Sequence, residues 1–121
     1  MICSAFDSVF DILVVSYTEC VTKFYRDHGS QEFAIIWTFP FNFTKILICN
    51  ELGTIFMGTS LGKVRSYQWP FTDKFKFSKS FTELQLHGSP VTQMSVTHDL
   101  SMLISGSYDG SIFISKINAY S

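Results

Sequence analysis

The chain has 121 residues, 46% of them hydrophobic and 17% aromatic, with a formal net charge of −1. That is the length of one ordinary domain, with apolar surface enough for a sizeable core, which excludes a disordered segment. Nine Lys plus Arg leave no basic footprint for nucleic acid or an anionic membrane surface, so neither is expected as a partner.

The first residues, MICSAFDSVFDILVVS, lack a basic leader, and Asp7 and Asp11 interrupt the apolar stretch, so a secretory signal is not expected. No run approaches the ~18 apolar residues of a membrane-spanning helix. The sequence therefore predicts a soluble, intracellular protein of the cytoplasm. Cys3, Cys20 and Cys49 are odd in number, lack metal-ligand spacing and lie in or beside apolar runs. They read as reduced thiols packed as small hydrophobes, and no metal, cofactor or small-molecule substrate is predicted.

Three units follow in chain order. In residues 1–26 three short apolar runs (1–6, 11–17 and 20–26) are separated by Asp7-Ser8 and Thr18-Glu19, as the inner strands of one blade. The polar cluster Asp27-His28-Gly29-Ser30 breaks the pattern. A second unit, 32–69, holds strand runs at 32–38, 43–50, 54–60 and 63–69, with turns at Glu51-Leu52-Gly53 and Leu61-Gly62. After a longer loop over 70–80 comes the third unit, 81–117, with runs at 81–86, 91–97, 102–107 and 111–117. Its separators are His87-Gly88-Ser89-Pro90, His98-Asp99-Leu100-Ser101 and Tyr108-Asp109-Gly110. Asp-Gly is the strongest hairpin signal of these, because Gly supplies positive φ without steric cost.

The runs Ile46-Leu47-Ile48 and Ile112-Phe113-Ile114 are apolar on both faces, which suits a sheet packed on both sides. Patterning alone leaves a propeller blade and the inner sheet of a sandwich both open. Laying the second unit over the third aligns Met57 with Ser105, Leu61 with Asp109, Gly62 with Gly110 and Tyr67 with Ser115. The two Gly markers stand slightly farther apart than the ~40 to 45 residues of WD arrays.

The third unit resembles a WD repeat: His87 precedes the innermost strand, Ser105 lies on the second strand, and Asp109-Gly110 forms the following turn. Ser115 stands where that family carries Trp. The resemblance implies an all-β fold, a partial WD40-type β-propeller of between two and three four-stranded blades, with His87, Ser105, Asp109 and Gly110 as a structural hydrogen-bond network. Propellers close with typically four to eight blades, so the chain is expected to be completed by another chain or to belong to a larger propeller. Over residues 43–117 the chain further resembles a ciliary WD-repeat family, through Gly58-Thr59-Ser60, Gly62, Arg65, Pro70, His87, Val91-Thr92, Met94 and Asp109-Gly110. That resemblance implies a place in the ciliary or flagellar axoneme, with inner-arm dynein or docking components as partners.

Other chemistry draws less support. A Ser-His-Asp hydrolase needs its Ser on a strained, exposed turn beside an oxyanion hole, whereas Ser105 falls inside a strand. The run Gly58-Thr59-Ser60-Leu61-Gly62-Lys63 lacks the spacing and the following Ser or Thr of a phosphate loop, and sits between strands. Phe71, Phe75 and Phe77, interleaved with Lys74, Lys76 and Lys79, are candidate protein contacts, with packing beneath the loop as the alternative. Tyr108, in the Asp-Gly turn, is the remaining candidate contact. His28 and His98 fall in turns and read as solvated. The expectation is a non-enzymatic interaction scaffold; the alternative is a small all-β domain that folds alone and binds an apolar ligand.

Overall fold

The structure is a computed structural model that describes residues 1–27, 33–71 and 73–117, with the backbone alone for Asp27, Phe33 and Phe75. Among the described residues eleven strands form three antiparallel sheets, each a meander in sequence order. The first sheet is β1 (Cys3–Asp7), β2 (Ile12–Tyr17), β3 (Val21–Asp27) and β4 (Phe33–Phe39). The second is β5 (Lys45–Cys49), β6 (Thr54–Gly58), β7 (Lys63–Gln68) and β8 (Phe81–Gln85). The third is β9 (Val91–Val96), β10 (Met102–Ser107) and β11 (Ile112–Lys116). Contacts of β1 with β5, and of β5 with β9, line the first strands of the three sheets up side by side. The result is an all-β, partial-propeller-like array of sheets stacked face to face.

Strand allotment differs from the sequence reading at two places. The runs that open the second and third units in sequence close the preceding sheets in space: β4 pairs with β3, and β8 with β7. Antiparallel neighbours pair most readily across the connection that joins them. The return of β8 is fixed by Glu83, which meets Arg65 at 2.7 Å and Lys63 at 3.5 Å across the ladder. The array is therefore two four-stranded sheets followed by a three-stranded one. Of the polar break before β4, His28, Gly29 and Ser30 lie outside the described residues.

Apolar strands need cover on both faces, and the space between the first and second sheets is filled by rings. Phe24 on β3 stacks on Trp37 of β4 at 5.3 Å and meets the edges of Phe71 at 5.2 Å and Phe77 at 5.9 Å. Phe77 in turn stacks on Tyr67 of β7 at 4.4 Å. Such pairs contribute roughly 0.5–1.5 kcal/mol each beyond their buried area. Residues 70–80, a loop by sequence, contain a short helix, α1 (Lys74–Lys79), which drives Phe77 into this space.

One buried charge sits at the rim of the same interface. Asp7, 2% exposed, accepts from the Trp69 indole Nε1 at 2.5 Å, from Asn50 Nδ2 at 3.2 Å and from the Val9 amide at 2.9 Å. Burial opposes its ionisation, but these donors outweigh it and hold the carboxyl below the usual aspartate value. Ser16 and Thr22 stitch the connector after β4 to the first sheet: the Phe43 amide donates to Ser16 Oγ at 2.6 Å, and Thr22 Oγ1 donates to the Phe41 carbonyl at 2.7 Å. The second interface is smaller and mostly aliphatic, built from Phe56, Val64, Val91, Met94 and Leu103 with Cys49.

Phe77 is 5% exposed, so Phe77→Ala should destabilise the fold by about 3–5 kcal/mol through the cavity it leaves. Urea denaturation of the variant beside the parent chain measures this. An unchanged midpoint would mean that α1 does not seat its ring in the core.

Candidate protein-interaction site

The sequence-predicted polar network is built on the third sheet, and its pieces meet through a residue that the sequence reading left out. His87 Nε2 is hydrogen-bonded to Ser105 Oγ at 2.9 Å, and its Nδ1 to Ser111 Oγ at 2.7 Å. Ser111 Oγ then donates to Asp109 Oδ1 at 2.6 Å. His87 and Ser105 are buried, whereas Asp109 is exposed at the turn. Asp109 thus acts by orienting Ser111 rather than as a buried partner of His87. The Ser111 hydroxyl and backbone amide hold the Asp109 carboxyl down at about 2. A second hydroxyl pair, Ser89 with Ser107, crosses the same end of the sheet, and Ser89 Oγ accepts from the Asp109 amide at 3.1 Å.

His87 is positioned from the second sheet. Gly62, in the turn between β6 and β7 at φ 83°, accepts through its carbonyl from the His87 amide at 3.0 Å and the Leu86 amide at 3.3 Å. A Cβ on Gly62 would meet the His87 carbonyl oxygen at 2.0 Å, so both the dihedral and the close approach require glycine there. Gly110, at φ 87°, supplies the positive dihedral of the Asp-Gly turn. Ser105 has no exposure, so its hydroxyl is not offered to a substrate. Among the described residues no three His, Cys, Asp or Glu side chains gather as a metal-ligand set.

The place equivalent to His87 in the second sheet is apolar and carries a different device. The Arg65 guanidinium lies between the rings of Phe41 at 4.1 Å and Phe81 at 4.4 Å, while its Nε donates to Glu83 at 2.7 Å and its Nη1 to the Tyr67 hydroxyl at 3.0 Å. Planar stacking and a carboxylate partner together are an arginine-specific arrangement.

The four candidate contact residues separate. Phe77 is buried in the core, carried there by the short helix α1, and Phe71 packs half-buried against that core, so both follow the packing alternative. The Phe75 side chain lies outside the described residues. Tyr108 is 82% exposed in its turn, which is anchored beneath by the Tyr108 amide donating to the Pro90 carbonyl at 3.0 Å. Ile112 and Ile114 on β11 are also exposed, as are Phe6 and Ile35 on the outward face of the first sheet. His98 is exposed, and His28 lies outside the described residues. Of the cysteines, Cys49 is buried, Cys20 exposed, and burial pushes the Cys3 thiol up to about 11. Among the described residues no helix is long and apolar enough to cross a membrane.

The Asp109 geometry is open to direct titration. Its carboxyl should titrate at about 2 by NMR, and Ser111→Ala should move that midpoint up toward the ordinary aspartate value. Because the native value is depressed, the turn's electrostatic contribution is complete at neutral pH and is lost as pH falls from about 4 toward the native midpoint. An ordinary midpoint in the parent chain would break the Asp109 to Ser111 link.

No protein-family model matches the chain. Over 75 residues, 62% of this chain, it is 33% identical to the mouse (Mus musculus) cilia- and flagella-associated protein 57, of which it spans 6%. Among solved structures it resembles the computationally designed Ika4 protein with TM-score 0.64 and 16% identity, over 95% of this chain and 64% of that one. The computationally designed Ika8 protein gives TM-score 0.63 and 16% identity, over 94% of this chain and 32% of that one. The chain thus spans less than two thirds of each of these three proteins, and the two structural likenesses, at that identity, establish the fold alone.

Proposed function

We propose that the chain is a non-enzymatic protein-interaction scaffold, a WD-repeat propeller segment of a protein of the cilium or flagellum. The observation that carries this reading is the 33% identity over 75 residues to a cilia- and flagella-associated protein. The chain from Ser105 through His87 and Ser111 to Asp109 supports the WD-repeat part, since it joins the residue types of that repeat at their expected places. Its partners are axonemal proteins, inner-arm dynein or docking components, together with a chain that completes the ring. The apolar-ligand alternative draws less support, because ring side chains fill the space between the first and second sheets and the cleft between the second and third has a volume of only about 150 Å³.

Tyr108 is the aromatic side chain best placed to meet such a partner. Exposed aromatic anchors commonly carry ~2 kcal/mol or more of an interface, roughly thirtyfold in affinity. The tagged chain should co-sediment with isolated axonemes, and Tyr108→Ser should weaken that association by about this factor while the circular dichroism stays unchanged. Failure of the parent chain to sediment would overturn the axonemal reading; an unaffected Tyr108→Ser variant would move the contact off this turn.

A further inference from the structure

The two interfaces end differently beside the turns that follow β1, β5 and β9. At the first, Asp7 closes β1 opposite Ile12, and its carboxylate is met by N–H donors from the second sheet, Asn50 and Trp69. The counterparts at the second interface follow from register. Cys49 closes β5 opposite Thr54, and positive φ comes four residues on at Gly53, as it does at Asp11 after Asp7. Thr97 takes the place of Asn50, since φ is positive three residues on at Leu100 as it is at Gly53. Ile117 takes the place of Trp69, seven residues past the glycine of the preceding turn. A thiol, a hydroxyl and an aliphatic side chain thus stand for a carboxylate, an amide and an indole, and they are too short to bridge the two sheets at this end.

An open groove of about 480 Å³ runs there along the last residues of β5 and β9, lined by Leu47, Cys49, Glu51, Val96, His98 and Leu100 among others. All of its lining belongs to β5, β9 and the turns after them, so the outer strands of the sheets play no part in it. Leu47, Val96 and Leu100 carry the aliphatic core out to the surface. Beside these apolar walls is the exposed Glu51, whose Oε2 accepts from the Cys49 thiol at 3.4 Å. A thiol is a weak donor, so this carboxylate keeps acceptor capacity for N–H groups.

The charge at this end has one sign. The turn residues 8–11, 50–53 and 97–101 include Asp11, Glu51 and Asp99 and neither Lys nor Arg. An apolar trough under a negative field suits a side chain with a long aliphatic stem and a cationic head.

We propose that this groove binds an arginine side chain of a partner protein, with the guanidinium on Glu51 and the stem along Leu47, Val96 and Leu100. The guanidinium brings to Glu51 the planar N–H donors that Asn50 and Trp69 bring to Asp7. The chain's own arginines do not serve: Arg65 is held by Glu83 between two rings, and Arg26 lies on β3 of the first sheet. This rests on reading the chain as a protein-interaction module and gives it a second contact, because the turns before and after β10 lie at opposite ends of that strand and Tyr108 is in the latter.

N-acetyl-arginine N-methylamide serves as the probe, titrated into the isotope-labelled full chain and followed by two-dimensional NMR, with the lysine and citrulline analogues beside it. The arginine compound should give saturable amide shifts confined to residues 47–51 and 95–100. Citrulline keeps the shape without the charge and should bind roughly tenfold more weakly or worse, and lysine, which lacks the planar fork, should also bind more weakly. Glu51→Gln, an exposed and nearly isosteric change, should weaken arginine binding roughly tenfold with the rest of the spectrum unchanged. A lack of saturation, shifts spread over the acidic surface, equal affinity for either analogue, or indifference to Glu51→Gln would each overturn the proposal. No axoneme enters the titration, so its failure leaves the ciliary reading standing, and failure of co-sedimentation leaves this one.

Discussion

Phe24 sits where the first sheet meets the second, ringed by Trp37, Trp69, Phe71 and Phe77. Each sheet is apolar on both faces, so it is stable only where another sheet covers it, and this ring cluster provides that cover for the first sheet. The Asp7 carboxylate then fixes how the two sheets meet, because the Trp69 indole and the Asn50 amide both come from the second sheet. A buried carboxylate without such donors costs several kcal/mol, so sliding the sheets apart loses the rings and strands the charge together. Among the described residues no buried side-chain nitrogen or oxygen lacks a hydrogen-bond partner.

The second interface is organised differently. It carries less aromatic surface, and the polar pair His87 and Ser105 crosses it on one side while the cleft beside Ser115 lies open on the other. Hydrogen bonding of His87 to Gly62 fixes the first side, and Ser115, Lys116 and Ile117 at the end of β11 line the cleft on the second.

Much of this was legible in the residues. The strands and the Asp-Gly turn follow from β-propensity and from the φ that only glycine adopts cheaply, and the pairing of His87 with Ser105 is what the resemblance to a WD repeat implies. Which sheet owns the runs at β4 and β8 is not a local property, since an apolar strand reads the same whichever neighbour pairs with it. For Phe71 and Phe77 the sequence left partner contact and packing beneath the loop both open, because a run of alternating Phe and Lys suits a contact loop as well as a helix with one buried face. Asp7 read as a turn residue because its partner, Trp69, is remote in sequence. Ser111 was missed because the repeat aligns Asp109 with His87 directly, and only the geometry shows the hydroxyl between them.

The central claim is the pairing itself: among the described residues, β4 and β8 are the fourth strands of the first two sheets, and β11 is the edge strand of the third. Backbone amide hydrogen exchange on the isolated chain reads this strand by strand. The account predicts that amides of β4 and β8 facing β3 and β7 are protected along with their partners, while those of Ile112, Ile114 and Lys116 exchange as freely as a solvent-facing edge. Rapid exchange throughout β8, or protection of the outer β11 amides in the monomer, would contradict it.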